Sequence, residues 1–285
     1  MPQLVLSHRV KLPYLHLNSC ALWAAFADAS GNKSTQRKPA LSRYRRAIVT
    51  LQISSVSGKG GAGKTTAVIL TAGELALKNR RILLIDADPR QNLAEWWKRC
   101  EAKDNVPASI SLATALRQNN IEKLMASQEG NYDAVLIDAP GVDSVVMDTI
   151  IDHSDIVITP IQPAQDEIKA VGEAAEAIAT RTDVLDRSIP QAVLRTRITI
   201  VNRHLEEYRI IRPFVQNLSE HGYNSVLLDT ELIERNCYRE IRSGLGTLQM
   251  LEPSEPVLKA RAEVNAFVEE LEQLKKEHRG ETING

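Results

Sequence analysis

This sequence predicts an α/β fold of three layers, a mostly parallel twisted sheet held between two layers of helices. Two observations carry that expectation. From residue 48 onward, β-branched and aliphatic runs alternate with helical patterns, the order that produces a sheet covered on both faces. Several of the expected strands also end in a polar residue, and open α/β sheets collect ligands at the carboxyl ends of their strands.

Strands are expected at residues 48–56, Arg81 to Asp86, Tyr132 to Asp138, Asp155 to Thr159, Ile198 to Asn202 and Ser225 to Leu228. A helical pattern runs from Thr65 to Lys78, and another starts at Asn92, where Glu95 three residues on suggests a reciprocal cap. Leu112, Leu116, Leu124 and Met125 fall roughly on one helical face. A further helix spans Gln165 to about Arg181, and the last, Val257 to His278, carries Val264, Phe267, Val268, Leu271 and Leu274 at helical spacing. No internal repeat is visible.

The 285 residues are 43% hydrophobic and 25% charged with a net charge of −1, so no global field favours nucleic acid and any such contact must be local. Cys20, Cys100 and Cys237 are scattered, which argues against a disulfide framework or a tetrathiolate metal site within one chain. No run of about twenty apolar residues predicts a membrane span. Pro13, His16, Asn18 and Ser19 interrupt the apolar region before Ala27-Asp28-Ala29, so no export signal is read there. Residues 1–47 hold Arg9, Lys11, Lys33, Arg37, Lys38, Arg43, Arg45 and Arg46 against the single acid Asp28. They are expected to form a largely disordered basic extension: an arm for DNA phosphates, a transit-like leader, or the product of an overlong reading frame. Residues 48–285 are expected to form the folded domain.

Chemistry concentrates at Gly58-Lys59-Gly60-Gly61-Ala62-Gly63-Lys64-Thr65, a complete G-x-x-x-x-G-K-[ST] phosphate loop between a strand and a helix. That order turns main-chain N–H groups and the positive end of a helix dipole toward an anion. Lys64 then reaches the β- and γ-phosphates, and Thr65 offers its hydroxyl to Mg²⁺. The fold is therefore expected to be a three-layer α/β/α P-loop NTPase whose ligands are ATP and Mg²⁺. Asp86, Asp138 and Asn202, each expected at a strand end, should converge near the loop.

The string Lys59-Gly60-Gly61-Ala62-Gly63-Lys64-Thr65-Thr66 resembles the deviant phosphate loop of the ParA/MinD family. Leu83-Leu84-Ile85-Asp86-Ala87-Asp88-Pro89 and Val135-Leu136-Ile137-Asp138-Ala139-Pro140-Gly141 look like that family's second and third blocks. The resemblance extends over roughly residues 48 to 252. It implies that Lys59 crosses a dimer interface to the partner's nucleotide, that residues 60–66 cradle the phosphates, and that Asp88 orients the attacking water. It also implies that Asp86, Asp138 and Thr65 serve Mg²⁺, that the Gly141 amide senses the γ-phosphate, and that Asn202 reads adenine. Lys59, Lys64 and Asp88 would be the catalytic set. One departure stands out: the family's Asp-Pro-Gln-Gly-Asn is here Asp88-Pro89-Arg90-Gln91-Asn92.

By the same resemblance the chain is expected to act as a cytoplasmic, nucleoid-associated ATPase in plasmid or chromosome partitioning. ATP would close a homodimer, the dimer would bind nonspecific DNA, and a ParB-like adaptor would stimulate hydrolysis. Arg209, Arg212, Arg235, Arg239 and Arg242 are the candidates for the DNA contact. An accessory role in conjugative DNA transfer and a MinD-type role in positioning on a membrane are the alternatives. The charged end Leu274-Lys275-Lys276-Glu277-His278-Arg279 offers little to insert into a lipid surface.

Overall fold

Short aliphatic runs bounded by turns build the sheet. The computed structural model describes residues 50–128, 130–141 and 145–281; the expectations for residues 1–47 and for Cys20 fall outside them. Seven strands among the described residues form one sheet: β1 (Leu51–Ser55), β2 (Ile82–Asp86), β3 (Ile110–Thr114), β4 (Ala134–Asp138), β5 (Ile156–Ile161), β6 (Gln191–Ile198) and β7 (Ser225–Ile233). The spatial order is β3-β2-β4-β1-β5-β6-β7. Every described strand pair is parallel, where the sequence predicted a mostly parallel sheet.

Parallel strands need covered faces, and the helices α1 (Lys64–Leu77), α2 (Asn92–Glu101), α3 (Gln118–Gln128), α4 (Val145–Asp152), α5 (Gln165–Leu185), α6 (Glu206–Glu220), α7 (Asn236–Arg242) and α8 (Glu255–Glu281) provide the cover. Alternation along β2 divides the core. Ile82 and Leu84 pack with Ile69 and Leu70 of α1, Trp96 of α2 and Phe267 and Leu271 of α8, whereas Leu83 and Ile85 join Ile121 of α3, Ile150 of α4 and Ile178 of α5. The apolar stripe of α8, including Val264, Val268 and Leu274, is buried in the first of these clusters.

Three sequence expectations need correction. The face assigned to Leu112, Leu116, Leu124 and Met125 is not one helix: Leu112 lies in β3, paired with Leu84, and α3 starts only at Gln118. Pairing with β2 outweighs a chance helical spacing. The strand expected at Ile198 to Asn202 lies earlier, at Gln191–Ile198, and Asn202 opens a short 3₁₀ turn. Arg195 and Thr196 disguise β6 in sequence, because Arg195 is buried and bonded to the carbonyls of Leu228 and Asp229 and to the Tyr208 hydroxyl. The reciprocal cap at Asn92 and Glu95 is absent too. Gln91 takes the N-cap place in the left-handed region at φ 51°, and Glu95 pairs with Lys98.

Register positions the site. Ser55 of β1 and Asp86 of β2 both lie level with Asp138 of β4. The chain leaves β1 and enters the glycine-rich loop beside both acids.

Candidate nucleotide-binding site

The loop that follows β1 turns directly into α1. Gly63 holds φ 110° at the N-cap of that helix, a conformation that costs a residue with a Cβ about 1–2 kcal/mol. α1 has no side-chain cap and no acid in its first turn, so its amide dipoles are left for a bound anion. A cleft of about 990 Å³ opens here, lined on one side by Gly60, Gly61, Gly63, Lys64, Thr65 and Thr66. Ala62 is fully buried, and its carbonyl accepts the Thr196 hydroxyl at 3.0 Å.

Lys64 is buried, and its ammonium donates to the carbonyls of Ser57 at 3.5 Å and Lys59 at 3.4 Å. Burial pulls its pKa below the ordinary lysine value, with Asp138 and Asp88 opposing that pull. A Cβ at Gly141 would lie 3.5 Å from the same ammonium, within ordinary contact, so the Gly141 backbone passes close to Lys64.

Thr65 donates its hydroxyl to Asp138 Oδ2 at 2.6 Å. The other carboxylate oxygen, Asp138 Oδ1, is buried without a hydrogen-bond partner among the described residues. Burial pushes the Asp138 carboxyl up to about 7, against the bond from Thr65 and the charge of Lys64. An orphaned carboxylate oxygen beside a threonine hydroxyl fits a divalent cation, and Mg²⁺ characteristically takes one or two protein oxygens and completes its shell with phosphate and water. No cluster of three or more His, Cys, Asp or Glu side chains suited to a metal exists among the described residues, consistent with so sparse a donor set.

Asp86, to which the resemblance gives a share of the Mg²⁺ shell, accepts two main-chain amides. Its Oδ1 accepts the Asp88 amide and its Oδ2 accepts the Ala94 amide. It thereby anchors the β2–α2 turn and the start of α2. Asp88 is buried, lines the cleft, and accepts the Arg90 amide at 2.9 Å. Lys59 is half-buried, and its ammonium pairs with Asp166 of α5 at 2.7 Å; that bond lifts its pKa.

Asn202 is not among the residues lining the cleft. Its amide is spent on its own loop, donating to the Arg197 carbonyl and accepting the Thr199 amide. The five arginines assigned to DNA also separate. Arg209 and Arg212 are exposed on α6, with Arg212 paired to Asp229. Arg235, Arg239 and Arg242 line the nucleotide cleft. Arg235 pairs with Glu263 of α8, and Arg239 pairs with Glu234.

Sequence reasoning missed Thr196 and Arg197 as cleft residues because the end of β6 was placed four residues too late, and Leu232 because β7 was expected to end at Leu228; Tyr238 of α7 also lines the cleft. Arg197 sits at φ 51°, a left-handed strain of the kind that tends to gather at functional sites. Arg90 also lines the cleft, and its departure from the family pattern was the available signal.

Parallel order, loop, buried lysine and the Thr65–Asp138 contact together define a P-loop ATPase of the ParA/MinD type. The chain belongs to the VirC1 family, whose model matches residues 50–274. It is 27% identical to the protein ParA of Rhizobium radiobacter over 73% of this chain and 89% of that protein. It is 33% identical to the protein virC1 of Rhizobium radiobacter over 50% of this chain and 63% of that one. In fold it resembles a plasmid partition protein from Borrelia burgdorferi B31 bound to AMPPNP, with a TM-score of 0.56 and 17% identity over 78% of this chain and 99% of that chain.

Proposed function

We propose that this chain is an Mg²⁺-dependent ATPase that partitions DNA, switching between a free monomer and an ATP-bound homodimer that holds nonspecific DNA until an adaptor protein stimulates hydrolysis. The observation that carries the nucleotide part is the contact of Thr65 with Asp138 beneath an unpartnered carboxylate oxygen, with Lys64 buried alongside. Mg²⁺ bound there would neutralise phosphate charge. Lys64 and the main-chain N–H groups of residues 60–66 hold the phosphates, and Asp88, at the cleft wall, orients the water that attacks. Lys59 serves the partner's nucleotide in the dimer, for which it must leave Asp166.

DNA retention would rest on surface cations, of which Arg209 and Arg212 lie outside the nucleotide cleft. The apolar stripe of α8 is consumed by the core, which favours DNA over a lipid surface as the matrix. The test compares wild type with Lys59→Ala by light scattering and by DNA titration at two salt concentrations. Wild type should dimerise with ATP and bind DNA in a salt-sensitive way. Lys59→Ala should bind ATP as a monomer and lose DNA. If Lys59→Ala still forms ATP-dependent dimers on DNA, the dimer reading is lost. Stimulation by vesicles and not by DNA would favour the membrane-positioning alternative.

A further inference from the structure

Five arginines line the cleft: Arg90, Arg197, Arg235, Arg239 and Arg242. Arg235 and Arg239 are neutralised by Glu263 and Glu234. Arg90, Arg197 and Arg242 have no carboxylate partner and no side-chain hydrogen bond among the described residues. The unpaired charge of half-buried Arg242 is unfavourable until an anion completes it, whereas exposed Arg90 and Arg197 keep their donors in water until one arrives.

Two of these three are built into place. Arg90 lies over the phosphate loop itself, its Nη1 occupying the space that a Cβ on Gly60 would need. The Arg90 amide is fastened to Asp88 Oδ1. The Arg90 charge also bears on Lys64, lowering that lysine's pKa. Arg242 is half-buried at the end of α7. Burial pulls its pKa down, Asp138 pulls the other way, and Arg99 and Arg197 add repulsion, so its guanidinium shares the field of the cation site. Its backbone is held by α2. The Arg99 side chain donates to the Arg242 carbonyl at 3.1 Å, and the Trp96 indole donates to the Ile241 carbonyl at 2.9 Å. Both arginines are thus tied to the segment that runs from β2 into α2.

We propose that Arg90 and Arg242 form a second phosphate-binding set, supplied by the same chain, that reads the terminal phosphate and makes the site prefer a nucleoside triphosphate to a diphosphate. A guanidinium presents a planar fork of donors that matches phosphate oxygens. The phosphate loop and Lys64 are common to both nucleotides; a cation that gains a partner only when the terminal phosphate is present discriminates between them. The inference rests on the nucleotide-binding reading above and adds to it two residues outside the phosphate loop.

The experiment is equilibrium titration of the full chain with fluorescent ATP and ADP analogues in Mg²⁺, for wild type, Arg90→Gln, Arg242→Gln, Arg242→Lys, the double glutamine variant and Lys64→Ala. Each glutamine variant should weaken ATP about tenfold while changing ADP little. The double variant should erase the preference, and Arg242→Lys should retain part of it. Equal weakening of both nucleotides, or no change in either, overturns the inference. A wild-type chain that binds neither nucleotide, or a Lys64→Ala chain that binds both normally, overturns the underlying nucleotide reading instead. Thermal melts accompany every variant. Arg90 is exposed, so Arg90→Gln decides the question by itself if Arg242→Gln does not fold.

Discussion

Two walls line one cleft, and they are made in opposite ways. The first, Gly60 to Thr66, is a contiguous run whose spacing is its geometry. The second draws on Thr196 and Arg197 from β6, Leu232 from β7, and Arg235, Tyr238, Arg239 and Arg242 in and just before α7. On the first wall the polar groups are largely satisfied locally: Lys64 by loop carbonyls, Thr65 by Asp138. On the second, Arg197 and Arg242 are unpaired and the Tyr238 hydroxyl is buried without a partner among the described residues. The contrast teaches that the loop wall fixes its side chains before ligand arrives and leaves its main-chain amides for the anion, whereas the far wall keeps unpaired side-chain charge for it.

Lys64→Ala should produce the largest effect, because it removes the buried ammonium that the loop wall is folded around. ATP affinity should fall at least about 100-fold in an equilibrium titration, as expected when a charged hydrogen-bonding partner of a phosphate is lost from a dry site. Near-normal affinity would shift the binding energy to the far wall and undo the comparison.

Next comes Asp88→Ala at the edge between the walls. Nucleotide binding should persist while single-turnover hydrolysis drops by about 100-fold, in line with loss of a group that positions the nucleophile. An unchanged hydrolysis rate would remove Asp88 from the chemistry.

Gly244→Ala probes how the far wall is held. Gly244 has φ 97°, and a Cβ there would lie 2.6 Å from the backbone of Arg99. Left-handed strain and overpacking together should destabilise the chain by about 3 kcal/mol. Denaturant unfolding measures this. An unfolding midpoint equal to wild type would mean that α7 does not depend on its seat against α2.

The smallest effect is expected from Gln91→Gly. Gln91 carries φ 51° where the resembling family has glycine. Relief of strain is partly offset by the greater freedom of the unfolded chain, leaving a net gain of about 0.5 kcal/mol. A loss of stability would show that the Gln91 side chain contributes contacts that outweigh the strain.

Much of this was legible before any coordinates. The phosphate loop, the acids at the ends of β2 and β4, and the apolar stripe of α8 follow from short-range pattern. A seven-residue turn into a helix is local, and an aliphatic run ending in aspartate reads as a strand end wherever it pairs. The far wall was illegible for a specific reason. Arg195 and Thr196 look like loop residues, yet they lie in β6 because carbonyls of β7 and the Tyr208 hydroxyl satisfy the buried guanidinium. Conversely, Ile200 and Val201 look like strand residues and are 79% and 75% exposed.

The DNA-binding assignment of the arginines shows the same limit. Arg235, at the N-cap of α7, and Arg239 and Arg242 within it fall at helical spacing, but spacing is silent about what they meet. That depends on α2 gripping the end of α7 and on Glu263 of α8 reaching Arg235.

By itself, then, the sequence determined the alternating α/β order, the phosphate loop and the identity of the acids beside it, because each depends on residues within about one turn or strand of one another. Only the tertiary structure decided that Asp86 anchors α2, that Asn202 is spent within its own loop, and that three of the candidate DNA arginines line the nucleotide cleft. Hydrogen-bond partners and burial arise from contacts between segments far apart in the chain, and those contacts exist only once the sheet has set its register.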